Sequence, residues 1–140
     1  MAFKNTIKSV LNFYFSINYV TSMLKIGVIG AGHLGKIHLK ILSNLKDEYE
    51  VIGFYDSDKD NAKIVNRSLR IKSFKSIELL IEEVDIIDIV SPTISHFDCA
   101  SLAIRSNKHV FIEKPITQTV LEAEKIMKLA REAGVKVQVG

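Results

Sequence analysis

Cysteine occurs once in this 140-residue chain, at Cys99. An intrachain disulfide is therefore excluded, as is a zinc site built from cysteines, and a lone thiol suits a reducing cytoplasm. Tryptophan is absent and proline occurs twice, at Pro92 and Pro115, so no proline-rich linker divides the chain. Charge of one sign is scarce as well: 19 basic and 16 acidic side chains leave +3, and Lys4 and Lys8 lie in a 22-residue start that holds no acid. That balance excludes the dense basic stripe of a nucleic-acid-binding surface. Residues 9–24 are free of charge, but they are shorter than the roughly 20 residues of a membrane span and are interrupted by Asn12, Ser16 and Asn18. No small-x-small cleavage site follows them. The expectation is that Met23 is the natural start, that residues 1–22 are an upstream extension, and that residues 23–140 form one domain.

What is present fits a packed α/β domain. Hydrophobic residues make up 47% and charged residues 25%, which excludes disorder. From Met23 onward, short β-branched runs alternate with stretches of helical period, the pattern of parallel βαβ units. Strands are expected at 25–29 (KIGVI), 51–55 (VIGFY), 71–74, 85–90 (DIIDIV), 109–112 (HVFI) and 135–139 (VKVQV). Between the first two, Leu34, Ile37, Ile41, Leu42 and Leu45 make a stripe expected to face the sheet. Ser76 is an expected helix cap, and Ser95-x-x-Asp98 and Thr119-x-x-Glu122 both read as capping boxes; Asn107 and Gly134 are expected left-handed helix ends. Six strands with right-handed crossovers predict a doubly wound, three-layer α/β/α Rossmann sheet in the order 3-2-1-4-5-6.

Gly30-Ala31-Gly32-His33-Leu34-Gly35 matches G-x-G-x-x-G, directly after an apolar strand and at the start of an amphipathic helix. In that context Gly30 permits a tight turn, Gly32 lets a pyrophosphate approach the backbone, and Gly35 lets helix and strand pack closely. The anion meets the unpaired amides of the helix start, so the backbone of His33 and Leu34 matters and their side chains do not. Asp56 ends the second strand, placed to accept hydrogen bonds from the ribose hydroxyls of an adenosine. Two unit charges about 4 Å apart at an effective dielectric of about 20 repel by about 4 kcal/mol, so this carboxylate disfavours a 2′-phosphate. NAD is expected over NADP. The plainer alternative for Asp56 is a helix-initiating acid, a task Ser57 or Asp58 can perform.

Three further stretches, IGVIGAGHLGKIH, VDIIDIVSPTISH and IEKPI with EAEKIMKLAREAGVKVQVG after it, resemble the Gfo/Idh/MocA (glucose-fructose oxidoreductase and inositol dehydrogenase) family from Met23 to Gly140. The resemblance implies a two-domain, usually oligomeric oxidoreductase that moves hydride between a nicotinamide and a hydroxyl or carbonyl carbon of a sugar, polyol or nucleotide sugar. By position it implies that Ser91, Pro92, Thr93 and His96 line the loop near the nicotinamide, that Glu113 helps hold its ribose, and that Lys114 is the catalytic cation at the junction with substrate. A cation there stabilises a developing alkoxide. The family's substrate domain has no counterpart in the 140 residues, which leaves a second reading open: a dinucleotide-binding or interaction module without redox turnover. An S-adenosylmethionine loop is a third, against which the Glu-Lys-Pro segment argues.

Plainer roles are expected for the other reactive side chains. His33 and His38 lie five apart and share no metal face, and His96 and Cys99 have no second pair to complete a zinc site. No metal is therefore expected. Cys99 is expected to be a small buried helix residue, and Asp85 and Asp88 to point to opposite faces of their strand.

Overall fold

The computed structural model describes residues 23–140, so the expectations for residues 1–22 lie outside the described residues. Five parallel strands form one sheet: β1 (Leu24–Ile29), β2 (Tyr49–Tyr55), β3 (Ile86–Ile89), β4 (His109–Ile112) and β5 (Val137–Val139). Their spatial order is β2-β1-β3-β4-β5. The expected six-strand sheet is corrected at one place, residues 71–74. These lie along the outer side of β2 but make only a single bridge, Phe54 to Ser73, with Phe54 N donating to Lys72 O and Phe74 N to Phe54 O. The segment is too short to extend the ladder, although it sits where the 3-2-1-4-5-6 order would put it.

Five α-helices connect the strands: α1 (His33–Asn44), α2 (Lys59–Leu69), α3 (Ile77–Glu82), α4 (His96–Arg105) and α5 (Val120–Ala133). Sequence dictates where most of them begin and end. The Asp58 side chain accepts from the amides of Asp60 and Asn61, Ser76 from Leu79, and Thr119 forms the expected capping box with Glu122. Gly134 and Asn107 turn left-handed, as expected, and so does Arg70 at the end of α2. The Ser95 capping box does not form. A 3-10 turn over Thr93–Ser95 runs straight into α4 and leaves Ser95 in a helical conformation, so its hydroxyl turns back to Pro92 O and Ser91 Oγ.

Alternation along β1 divides the core in two. Val28 packs with Ala31, Leu39, Phe54, Ala62 and Val65 on the side of α1 and α2. Ile29 packs with Leu80, Ile87, Ile89, Ala103, Ile104, Ile112 and Ile126 on the side of α3, α4 and α5. Burying the valine, leucine, isoleucine and phenylalanine side chains among these supplies roughly 1.5–3 kcal/mol each before conformational entropy is subtracted. α1 differs from its expected stripe. It buries Gly35 and Leu39, with Leu42 packed at the margin, whereas Leu34, Ile37, Ile41 and Leu45 are exposed. The reason is lateral: α1 lies over β1 and β2, and its far flank borders a second cavity of about 360 Å³ over β3–β5, whose only helical wall among the described residues is α1 itself. No helix among the described residues is long and apolar enough to cross a membrane.

Candidate functional site: a dinucleotide cleft at the strand tips

A cavity of about 850 Å³ opens at the C-terminal ends of β1, β2 and β3. Parallel sheets place their crevice there, at the point where the connections diverge to opposite faces. Gly30, Gly32, His33 and Leu34 form one wall, Asp56, Ser57, Asp58 and Asn61 another, and Ser91, Pro92, Ile94 and Ser95 a third.

The glycine turn is shaped for an anion. Gly30 has φ +94°, and a side chain there would meet the Ser91 backbone at 2.7 Å. At Gly35 an added Cβ would run into the Gly30 carbonyl, so α1 can approach β1 only without one. Gly32 is the opposite case: nothing lies within 4 Å of where its Cβ would stand, and that space is the cavity. α1 also has no side-chain cap and no acid in its first turn, unlike α2, α3 and α5. Its first amides and the positive end of its dipole are left to whatever enters the cleft.

At the tip of β2, Asp56 is held tightly. Its Oδ2 accepts from the Ala31 amide at 2.8 Å and from Asn61 Nδ2 at 3.0 Å, and its Oδ1 accepts from the Asp58 amide at 2.8 Å. Asp58 performs the capping of α2, so Asp56 is not needed for that task. A carboxylate offers about four acceptor directions, and the three bonds leave one open on Oδ1. That geometry accommodates one hydroxyl donor rather than two.

The expected residues after β3 and β4 divide. Ser91 and Pro92 line the cleft, while Thr93 is half-buried and His96, Glu113 and Lys114 lie outside its wall. His96 is 1% exposed, with Nδ1 3.0 Å from Pro115 O and Nε2 2.8 Å from Ser91 O. Its ring ties the loop after β3 to the turn after β4. Glu113 faces the other side of the sheet, where its Oε1 lies 3.2 Å from His38 Nε2. His38 Nδ1 in turn pairs with Asp88 Oδ2 at 2.9 Å, and Asp88 Oδ1 is buried without a partner. Burial pushes the Asp88 carboxyl above its ordinary range, an effect the His38 bond partly offsets. Lys114 is exposed, and its ammonium makes no ion pair or hydrogen bond among the described residues. Cys99 borders the cleft but is buried, and burial pushes its thiol up, away from the reactive thiolate. The link from Asp88 through His38 to Glu113, and the Asn61 bond to Ala31, had no signal in the sequence, because their partners lie at separations that follow no local spacing.

A parallel sheet in this order, with a bare helix start against a glycine turn and an acid at the next strand tip, defines a dinucleotide-binding Rossmann domain. Residues 24–140 match the profile of the Gfo/Idh/MocA oxidoreductase family, NAD-binding Rossmann fold, and the chain belongs to that family. It is 34% identical over 117 residues to UDP-N-acetylglucosamine 3-dehydrogenase of Acidithiobacillus ferrooxidans, covering 84% of this chain and 36% of that protein. Glucose-6-phosphate 3-dehydrogenase of Bacillus subtilis is 33% identical over 118 residues, covering 84% and 33%. A solved structure of the Acidithiobacillus enzyme superposes with a TM-score of 0.79, covering 84% of this chain and 38% of the other. The chain thus spans about a third of the length of the curated relatives it matches. The family's cofactor, NAD, suits the cleft: open space over Gly32 and uncapped amides for the diphosphate, and an acceptor at Asp56 for a ribose.

Proposed function

We propose that the domain binds NAD in preference to NADP along this cleft and serves hydride transfer between the nicotinamide and a hydroxyl or carbonyl carbon of a sugar, polyol or nucleotide sugar. The observation that carries the reading is the pairing of an uncapped α1 with a fixed carboxylate at Asp56. The amides of Gly32, His33 and Leu34 would hold the diphosphate, Asp56 the adenosine ribose, and Ser91, Pro92 and Thr93 the path toward the nicotinamide. Once bound, the nicotinamide supplies the hydride chemistry. Lys114 would bind substrate and stabilise negative charge on the reacting oxygen. In this reading His96 and Glu113 act from behind. His96 braces the Pro115 turn that follows Lys114, and Glu113 accepts from the Lys114 amide at 3.2 Å. The dehydrogenase names of the two relatives support the substrate class. Most substrate contacts, the groups that partner Lys114 and any oligomer contacts would come from sequence beyond this domain, in a protein working in the cytoplasm.

A second reading, binding without turnover, is favoured by the Lys114 ammonium, which has no partner among the described residues. Calorimetric titration of the chain with NAD, NADP and S-adenosylmethionine tests the assignment. NAD binding that is lost in Asp56→Ala supports it, and a folded chain that binds no nicotinamide dinucleotide removes it. Turnover of a sugar or polyol by the gene's complete product, lost in Lys114→Ala, separates the enzyme from the binding module.

A further inference from the structure

We propose that Asn61 is a specificity-determining positioning residue, locking the Asp56 carboxylate at the cleft rim so that a ribose hydroxyl is accepted and a 2′-phosphate refused. The inference rests on the dinucleotide reading above and goes beyond it by assigning the discrimination to a side chain that is not the acid. Asn61 lies in the first turn of α2, half-buried on the cleft wall. Its amide nitrogen donates at 3.0 Å to Ala31 O and at 3.0 Å to Asp56 Oδ2. Both partners are acceptors, so the orientation of the amide is unambiguous: a flip would set its oxygen against a carbonyl and a carboxylate. Ala31 N donates to the same Asp56 oxygen at 2.8 Å, which closes a ring through the glycine turn, the tip of β2 and the start of α2.

The consequence concerns freedom more than charge. Without Asn61, Asp56 would keep the Ala31 and Asp58 amides but lose the side-chain donor that holds it from α2 when a phosphate dianion arrives. Asp56 cannot turn without breaking bonds to Ala31, Asp58 and Asn61. Hydrogen bonds to an ionised group are the stronger kind, so the lock resists displacement. The remaining acceptor direction on Oδ1 suits a neutral hydroxyl donor, and the fixed charge repels a phosphate. Asn61 also holds the Ala31 carbonyl, which couples the acid's position to the turn that receives the diphosphate.

The test uses the chain with Asn61→Leu, which keeps the branched shape and removes both donors, and with Asn61→Ser, which is too short to reach them. Thermal unfolding and calorimetric affinities for NAD and NADP are measured for each. The expected result is that the preference for NAD over NADP narrows by about tenfold in both variants, the loss of a charged hydrogen bond. A purely structural role would lower the melting temperature and weaken both dinucleotides together, leaving their ratio unmoved. A wild-type chain that prefers NAD, with variants of the same ratio, overturns the inference and leaves the proposed function standing. A wild-type chain that binds neither dinucleotide overturns the proposed function and the inference with it. If Asn61→Leu does not fold, Asn61→Ser decides by the same ratio.

Discussion

At the tips of β1 and β2, Asp56 accepts three hydrogen bonds and the glycine turn is packed so closely that two of its positions admit no side chain. At the tips of β3 and β4, the Lys114 ammonium stands exposed without a partner among the described residues. The first end is built mostly from residues within about one βαβ unit and is held by its own hydrogen bonds and close packing. The second is braced only from behind, by His96 against the Pro115 carbonyl and by Glu113 against His38. In the proposed reading, the groups that would hold the adenosine half all lie within this domain. In the proposed reaction Lys114 would need positioned partners, and positioning is where much of an enzyme's rate comes from.

The largest expected effect that sharpens this contrast is Gly35→Ala. A Cβ driven into the Gly30 carbonyl should cost more than about 4 kcal/mol and abolish dinucleotide binding, measured by urea unfolding and titration. Gly32→Ala should separate the two properties. With nothing near the added methyl, stability should stay within about 0.5 kcal/mol of the parent, while NAD affinity falls by about tenfold or more because the methyl occupies the anion's place. Equal losses of stability for both variants would break the distinction between a packing glycine and a binding one.

At the other end, Asp88→Asn should change the pH dependence of folding. Burial raises the Asp88 carboxyl in the folded state, so the native protein holds that proton more tightly than the unfolded chain. Its contribution to stability is therefore fully present below the ordinary aspartate value of 3.8 and is lost as pH rises through the raised folded value. The variant's stability relative to wild type should rise across that acidic window, as read by denaturant unfolding at a series of pH values. The smallest effect is expected from Lys114→Ala, which should leave NAD affinity within about twofold, since the side chain lies outside the cleft wall and holds no other group.

Much of the adenosine end was legible in the sequence because each of its devices is local. A glycine spacing, a strand tip and a capping aspartate are read from neighbours, and α2 is capped by Asp58 and not by Asp56. The ends of α3 and α5 were legible for the same reason. What failed depended on distant partners. Residues 71–74 have a strand's composition, but only Phe54 is placed to pair with them. The stripe on α1 has the right period, yet which part is buried depends on the half of the sheet the helix covers, and Ile37 and Ile41 fall beyond it. Ser95 has a capping residue's chemistry in a backbone that the preceding turn has already made helical. The hydrogen bonds of His96 are a further case that no local spacing reports, apart from the place near the nicotinamide that the resemblance implies for it. Its ring nitrogens meet carbonyls 5 and 19 residues away, one of them beyond a strand crossing that no periodicity reports.

In the proposed function the bare start of α1 receives the diphosphate. Amide chemical shifts of the 15N-labelled chain titrated with NAD test it residue by residue. Gly32, His33 and Leu34 should move most, Ala31 and Ser57 beside Asp56 should follow, and Gly32→Ala should shift the titration to about tenfold higher NAD or beyond. Saturable NAD binding that leaves these amides unmoved, with shifts gathered over the open face of β3–β5 instead, would contradict it.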